Sequence, residues 1–355
     1  MLCDQYISAL IKEIMMVGSQ NAEKKEVTTL YFGGGTPALA VDRLQEVINT
    51  VNQYFTIKEG IGIELHPEEI SIELLKKLKA AGVTKISIGI QSFKSSFLTM
   101  LGREVFSHEK MFEAIQTVQF ETVSMDFIFA LPGQTFEDLK YDIDTAFSNG
   151  ANHIAIYPFI DFSFANSGID SMAKKQKKAL LDEITYYCKS KDYHRESIWT
   201  FSNQQGAQYS SMTRDHFLGF GCSATTLLKH QFKINTFSIP DYIQRIEKNQ
   251  LATSLTLRFT KKQRMIYYLF WTAYSTTVEA EAFQEFFGSS LKSQYGIELW
   301  LAKRLGLLTE QNGIYEMTLK GAFYYHYYEN YYTLSYIDKM WGIMRKEAFP
   351  AEIVM

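Results

Sequence analysis

Five strand–helix units follow one another in strict alternation between residues 27 and 157, each about 25–35 residues long, and nothing else in the chain constrains its fold so tightly. The strands are read from Val27–Leu30, the alternating Ile61, Ile63 and Leu65, then 83–90, 122–129 and 152–157. Between them, Leu44, Val47, Ile48, Val51 and Phe55 fit one face of a 3.6-residue period. Leu74, Leu75 and Leu78 do the same before Gly82 stops the turn, and residues 109–118 and 136–149 repeat the pattern. Such a run predicts an α/β fold with a parallel sheet and outer helices. Right-handed crossovers curl it into a full or partial β/α barrel. The working face of a barrel of this kind is the carboxyl end of its strands. A glycine turn at 33–35, Glu64, Gln91 and Asp126 all fall at or near strand ends in this reading.

The glycine turn, Tyr31-Phe32-Gly33-Gly34-Gly35-Thr36-Pro37, stands at the junction of the first strand and its helix. Three glycines leave main-chain N–H and C=O groups uncovered, so the backbone can approach a ligand and bond a charged group directly. Pro37 stiffens the exit. The same residues also read as a strained structural turn or a generic phosphate loop.

Composition narrows the class. Apolar residues make up 46% and charged residues 21% of 355, which supports a substantial core. A net charge of -3 gives no electrostatic case for nucleic acid or an anionic membrane. No signal peptide and no stretch of about 20 apolar residues is present, so the expected location is cytoplasmic with no membrane span. The three cysteines, Cys3, Cys188 and Cys222, lie too far apart to outline a disulfide framework or a metal site. Aromatic residues, 15% of the chain, suit either an aromatic-rich core or a flat ligand, with packing as the default.

Beyond residue 165 the alternation weakens. A long amphipathic helix is expected over 172–188, a second glycine turn at 217–224 and a helix over 259–274. A helix over 290–304, a β-pair around Asn312-Gly313 and an aromatic helix after Thr318 then give the order of a winged-helix-like module. The expected division is a partial-barrel core (1–165), a completing and linking region (166–255) and this C-terminal module (256–355).

Eight short segments, in order, resemble radical SAM proteins of the oxygen-independent coproporphyrinogen III oxidase type, a group with decarboxylase, heme-chaperone and heme-degrading relatives. They are YISALIKEI (6–14), GGGTP (33–37), IELHP (63–67), SIGIQSF (87–93), LGR (101–103), SMDFI (124–128), LPGQT (131–135) and GFGCSA (219–224). The resemblance is clear over about residues 4–240 and loose in the tail. It implies a site for S-adenosylmethionine (SAM). Gly34, Gly35 and Thr36 would hold its methionine part, and Glu64, Gln91, Arg103 and Asp126 would contact it or line the same cavity. Residues around Ile160 and Thr225 would border the adenine. An Arg103–Asp126 ion pair and a strand-capping Gln91 are the structural alternatives.

The resemblance also implies a four-iron–four-sulfur cluster on a CxxxCxxC loop, and that motif is absent from the sequence. Three thiolates are needed to hold such a cluster with one iron left open to SAM, and Cys3 alone cannot supply them. His66 stands where relatives carry Asn or Asp, and Ala130 where they carry Gly. Two functions follow. One is a radical SAM enzyme acting on a tetrapyrrole such as coproporphyrinogen or heme, with its cluster loop upstream of Met1. The other is a cluster-free protein that binds heme or SAM without radical chemistry.

Overall fold

Side chains of a strand point alternately to its two faces, and in this chain the two faces differ in kind. The computed structural model describes residues 2–162, 168–170, 172–203 and 215–351, so the expected boundary at residue 165 lies outside the described residues. In chain order come α1 (Leu2–Gly18), β1 (Lys25–Val27), β2 (Leu30–Phe32), α2 (Val41–Tyr54), β3 (Phe55–Ile57), β4 (Ile61–Leu65), α3 (Ile72–Ala80) and β5 (Lys85–Gln91). Then follow α4 (Ser95–Met100), α5 (Glu109–Thr117), β6 (Thr122–Phe129), α6 (Phe136–Ser148), β7 (His153–Pro158), α7 (Lys174–Ser190), β8 (His194–Arg195) and β9 (Thr200–Ser202). Strands β2, β4, β5, β6 and β7 are parallel neighbours, and β9 and β8 complete the seven-stranded sheet antiparallel.

The outer face of this sheet is the core. Ile63, Ile86, Ile88, Met125, Phe129 and Ile154 are fully buried with Leu75, Leu78, Ala114 and Ile143 of the helices in one apolar cluster. Helix ends are set by local chemistry. The Ser71 hydroxyl accepts the Leu74 N–H at 3.1 Å, and Thr135 with Asp138 forms a reciprocal capping box on α6. Two sequence expectations need correction. The run before the glycines breaks at Thr28-Thr29, because β1 leaves the main sheet to pair with β3, and only β2 joins β4. For the same reason Phe55 is buried from a strand, not from the face of α2.

Helix α6 is tied to the turn after β5. Asp142 is fully buried and accepts the Phe93 N–H at 2.7 Å and the Ser92 hydroxyl at 2.9 Å. Burial pushes its carboxyl up to about 7, against the opposing pull of those two donors. Between pH 4 and 7 the folded chain therefore keeps a proton that the unfolded chain, with an ordinary carboxyl near 4, has released. This group makes stability fall as pH rises through that window. Asp142→Asn is expected to flatten the stability curve between pH 5 and 8, as read by urea unfolding at both ends of the range.

The remaining elements are β10 (Thr225–Leu227), β11 (Gln231–Asn235), α8 (Ile239–Glu247) and β12 (Thr253–Arg258), then α9 (Lys261–Tyr274), β13 (Thr277–Glu279), α10 (Ala280–Phe287) and α11 (Leu291–Arg304). Strands β14 (Leu308–Gln311) and β15 (Ile314–Met317) and helices α12 (Leu319–Tyr332) and α13 (Asp338–Met344) close the chain. The three-stranded sheet β10-β11-β12 runs across residue 255, where the sequence suggested a division. In the C-terminal module, β13 joins the β14–β15 hairpin, and Met265, Tyr268, Phe283, Leu291 and Tyr315 form a separate core. Helix α12 docks on the sheet through His326, whose Nδ1 accepts the Trp199 indole N–H at 3.2 Å.

Helix α1 is fastened to the second glycine turn by one buried carboxylate. Glu13, 3% exposed, accepts the Gly221 N–H at 2.7 Å, the Tyr242 hydroxyl at 2.7 Å and the Asn235 amide at 3.0 Å. Burial raises its pKa, while these three donors oppose the shift.

Candidate functional site at the inner face of the parallel sheet

The inner face of the sheet carries a polar row set by register. Glu64 of β4 lies beside Ser87 of β5, Ser87 beside Ser124 of β6, and Ser124 beside His153 of β7. Asp126 sits one inward position further along β6. Its carboxylate accepts the Ser87 hydroxyl at 2.7 Å and the Ser124 hydroxyl at 3.0 Å. The Ser124 oxygen is also 2.9 Å from His153 Nδ1. When Asp126 is ionised it is acceptor only, so both serines donate to it and His153 must donate from Nδ1. That fixes the imidazole tautomer. Burial drives the His153 pKa down to about 4, so the ring is neutral through the physiological range.

Asp126 is held near its switching point. Burial lifts its carboxyl to about 6, the two serine hydroxyls pull the other way, and the Glu64 carboxylate adds to the rise. A carboxyl with this value gains or loses its proton close to neutrality.

Glu64 holds the glycine turn. Its Oε2 accepts the Gly34 N–H at 2.9 Å, and its Oε1 accepts the Tyr31 hydroxyl at 2.8 Å. Gly34 and Gly35 have φ of +78° and +59°, a region costly for other residues. A Cβ at either position would meet nothing within 4 Å. The two glycines are therefore required by backbone conformation and face open space. Thr36 follows, half-buried, ahead of the short turn at Pro37–Ala40. Each Glu64 oxygen keeps lone-pair capacity beyond its present donor.

Gln91 joins the same face through a bulge. The β5–β6 register shifts between Ile88 and Gln91, and Gln91 adopts φ +68°. Its amide nitrogen lies 3.0 Å from where a Cβ on Gly89 would stand, which places it over the inward side of β5. The structure thus brings together Gly34, Gly35, Glu64 and Asp126, with Gln91 on the same sheet face. Arg103 is exposed after α4 and makes no ion pair among the described residues, so the alternative of an Arg103–Asp126 pair is not found. Ile160 is half-buried just past β7, and Thr225 opens β10 in the neighbouring sheet. Close approach of main chain explains Gly219, where a Cβ would stand 2.0 Å from the Thr225 carbonyl oxygen.

Tyr31, Ser87, Ser124 and His153 were not singled out from the sequence. Their signal was available as polar side chains at alternate positions of consecutive apolar strands. It becomes specific only with the inter-strand register.

Comparison with known proteins agrees with this architecture. Residues 6–146 match the Radical SAM superfamily. The heme chaperone HemW of Bacillus subtilis (strain 168) is 25% identical over 90% of this chain and 88% of its own length. HemW of Lactococcus lactis is 32% identical over 44% of this chain and 41% of its own length. Oxygen-independent coproporphyrinogen III oxidase of Pseudomonas aeruginosa is 22% identical over 73% of this chain and 63% of its own length. The chain thus spans less than two thirds of the last two. In fold, it is similar to the coproporphyrinogen III oxidase (HemN) of Escherichia coli, with a TM-score of 0.76 and 20% identity over 92% of this chain and 81% of that one.

SAM and a four-iron–four-sulfur cluster are expected of a radical SAM family. The open glycine turn and the two inner-face carboxylates fit SAM, a ligand with an ammonium, a sulfonium and a carboxylate. The cluster does not fit the residues present. Cys3 is exposed on α1, Cys188 is buried in α7, and Cys222 lies in the second glycine turn. Among the described residues no group of three or more His, Cys, Asp and Glu side chains could hold a metal ion.

Proposed function

We propose that this chain, which carries a radical SAM domain and is homologous to the heme chaperone HemW and to oxygen-independent coproporphyrinogen III oxidase, binds SAM at the inner, carboxyl-end face of its parallel sheet and works on a tetrapyrrole. The observation that carries the reading is the open, left-handed Gly34-Gly35 turn, held by Glu64 beside Asp126. SAM, when bound, supplies a sulfonium-activated adenosyl group. The protein's own part is positioning. Main-chain groups of Gly34 and Gly35 and the Thr36 hydroxyl take the amino-acid end, and Glu64 both shapes the turn and offers negative charge to the ammonium. Asp126 offers a second carboxylate, oriented by Ser87 and Ser124. Gln91, Ile160 and Thr225 would form the wider wall of the same site, and Arg103, exposed after α4, would reach the ligand only from its outer edge.

The tetrapyrrole assignment rests on the names of the relatives, a heme chaperone and a coproporphyrinogen oxidase. It is tested by absorbance titration of the folded chain with heme and with coproporphyrin III. Saturable binding of one of them is the expected result. Failure of both to bind would overturn the assignment.

The carboxyl of Asp126 gives the SAM part a pH signature. With a pKa of about 6 it is largely protonated at pH 5 and ionised at pH 7.5. An ionised carboxylate attracts the ligand's cationic groups, so SAM affinity should rise several-fold between pH 5.5 and 7.5. Asp126→Asn should remove most of that rise, as measured by calorimetry at the two pH values. An unchanged pH dependence in the variant would exclude Asp126 from the site.

A further inference from the structure

Helix α11 departs from helical geometry at Tyr295 (φ -134°), and the turns after it carry an apolar stripe on their outer side. Ile297 is 80% exposed, Trp300 62%, Leu301 48% and Leu305 50%. The opposite side of the helix is accounted for, since Leu291, Tyr295 and Leu299 pack into the core of the C-terminal module. Ile297, Leu301 and Leu305 are four apart, so they form one ridge along the helix, with Trp300 beside it. Single exposed apolar residues are ordinary, but four large ones in one patch, three on a ridge and Trp300 beside it, mark an interaction surface.

We propose that this stripe packs against the same stripe of a second copy of the chain, antiparallel about a twofold axis at Leu301. The charge pattern selects that occupant. In the antiparallel arrangement Ile297 meets Leu305 of the second copy, and Glu298 meets Arg304 of the second copy, once on each side of the axis. Lys303 is already paired with Glu310 at 2.6 Å within the module. Glu298 and Arg304 are both exposed and neither is in an ion pair among the described residues. The small Ala302 leaves room beside the axis for Trp300. A self-complementary patch of this kind is what a twofold interface requires. Four side chains supply less than the roughly 800 Å² per partner of a standard stable interface. The dimer is therefore a weak one, with Kd of about 1–100 µM. Trp300 is its central anchor, as tryptophan tends to be in interfaces.

Sedimentation velocity of the full chain over about 1–200 µM tests the proposal. The expected result is a concentration-dependent monomer–dimer equilibrium. Trp300→Glu should raise Kd at least tenfold, with an unchanged circular dichroism spectrum because the side chain is exposed. Glu298→Arg and Arg304→Glu should each weaken the dimer, and the two together should restore it, because the swapped charges pair again. A chain that stays monomeric throughout, a dimer indifferent to Trp300→Glu, or a double swap that fails to restore association would overturn it.

Discussion

Replacing Glu13 by alanine is expected to destabilise the folded chain by about 2–6 kcal/mol, the cost of leaving two buried donors without their acceptor. The carboxylate is 3% exposed and is the shared acceptor of the Gly221 N–H, the Asn235 amide and the Tyr242 hydroxyl. Asn235 keeps a second bond to the Gly221 carbonyl at 2.9 Å. Among the described residues the Gly221 N–H and the Tyr242 hydroxyl have no other acceptor, and each buried unsatisfied donor costs about 1–3 kcal/mol. Glu13→Gln should lose less, because its carbonyl oxygen can still accept the pair of donors at Oε2 while its NH2 faces the Asn235 amide. The order wild type, Gln, Ala in urea midpoints checks this. If alanine cost under 1 kcal/mol, the contact between α1 and the second glycine turn would not be an anchor. The effect should be global, since α1 packs on both α2 and α8.

Much of the fold was legible in the sequence because apolar strands alternate with amphipathic helices. The strand read over 122–129 coincides with β6, and the expected helix over 136–149 differs from α6 by one residue. What escaped reading was set by tertiary pairing. Nothing local distinguishes Thr28-Thr29 as a break between two strands, because the break exists only once β1 chooses β3 as its neighbour. Likewise, β8 and β9 are two and three residues long and run antiparallel, so no periodicity announced them. Helix α4, six residues long, is below the length at which a helical period can be recognised.

The site was legible in part for a similar reason. Gly34 and Gly35 stood out because glycines before a helix are conspicuous, and Glu64 and Asp126 because they fall at or near strand ends within segments that carry the family resemblance. The link between them was not visible. It depends on Gly34 and Glu64 meeting across 30 residues, and on Ser87 meeting Asp126 across 39. Gln91 was read as a residue at a strand end, and only the β-bulge explains how its amide turns onto the face of Gly89. Glu13 lay inside a segment that carried the family resemblance, yet its role as a three-way acceptor needs the Gly221 loop to fold back over α1.

The second large effect concerns Gly34. A valine there would have to adopt φ near +78°, which β-branched residues avoid, and would place its methyl groups in the open space above the turn. The strain contributes about 1–3 kcal/mol of destabilisation. The filled space should weaken SAM binding at least tenfold, about 1.4 kcal/mol. These two consequences separate with a control. Gly288 has φ +66° and equally open surroundings, but lies at the end of α10 in the C-terminal module. Gly288→Val should cost similar stability and leave SAM binding unchanged.

Equilibrium dialysis of labelled SAM against the wild-type chain, Gly34→Val and Gly288→Val is the most direct test that the glycine turn is a SAM site. Each hydrogen bond to a charged group contributes about 1.5–3 kcal/mol, set against several kcal/mol of lost ligand freedom. With the contacts this chain offers, the expected wild-type result is saturable binding of one SAM per chain, with Kd of about high micromolar to millimolar. Gly288→Val should match it, and Gly34→Val should lose at least tenfold while remaining folded. A folded Gly34→Val chain that binds SAM with wild-type affinity would contradict the account.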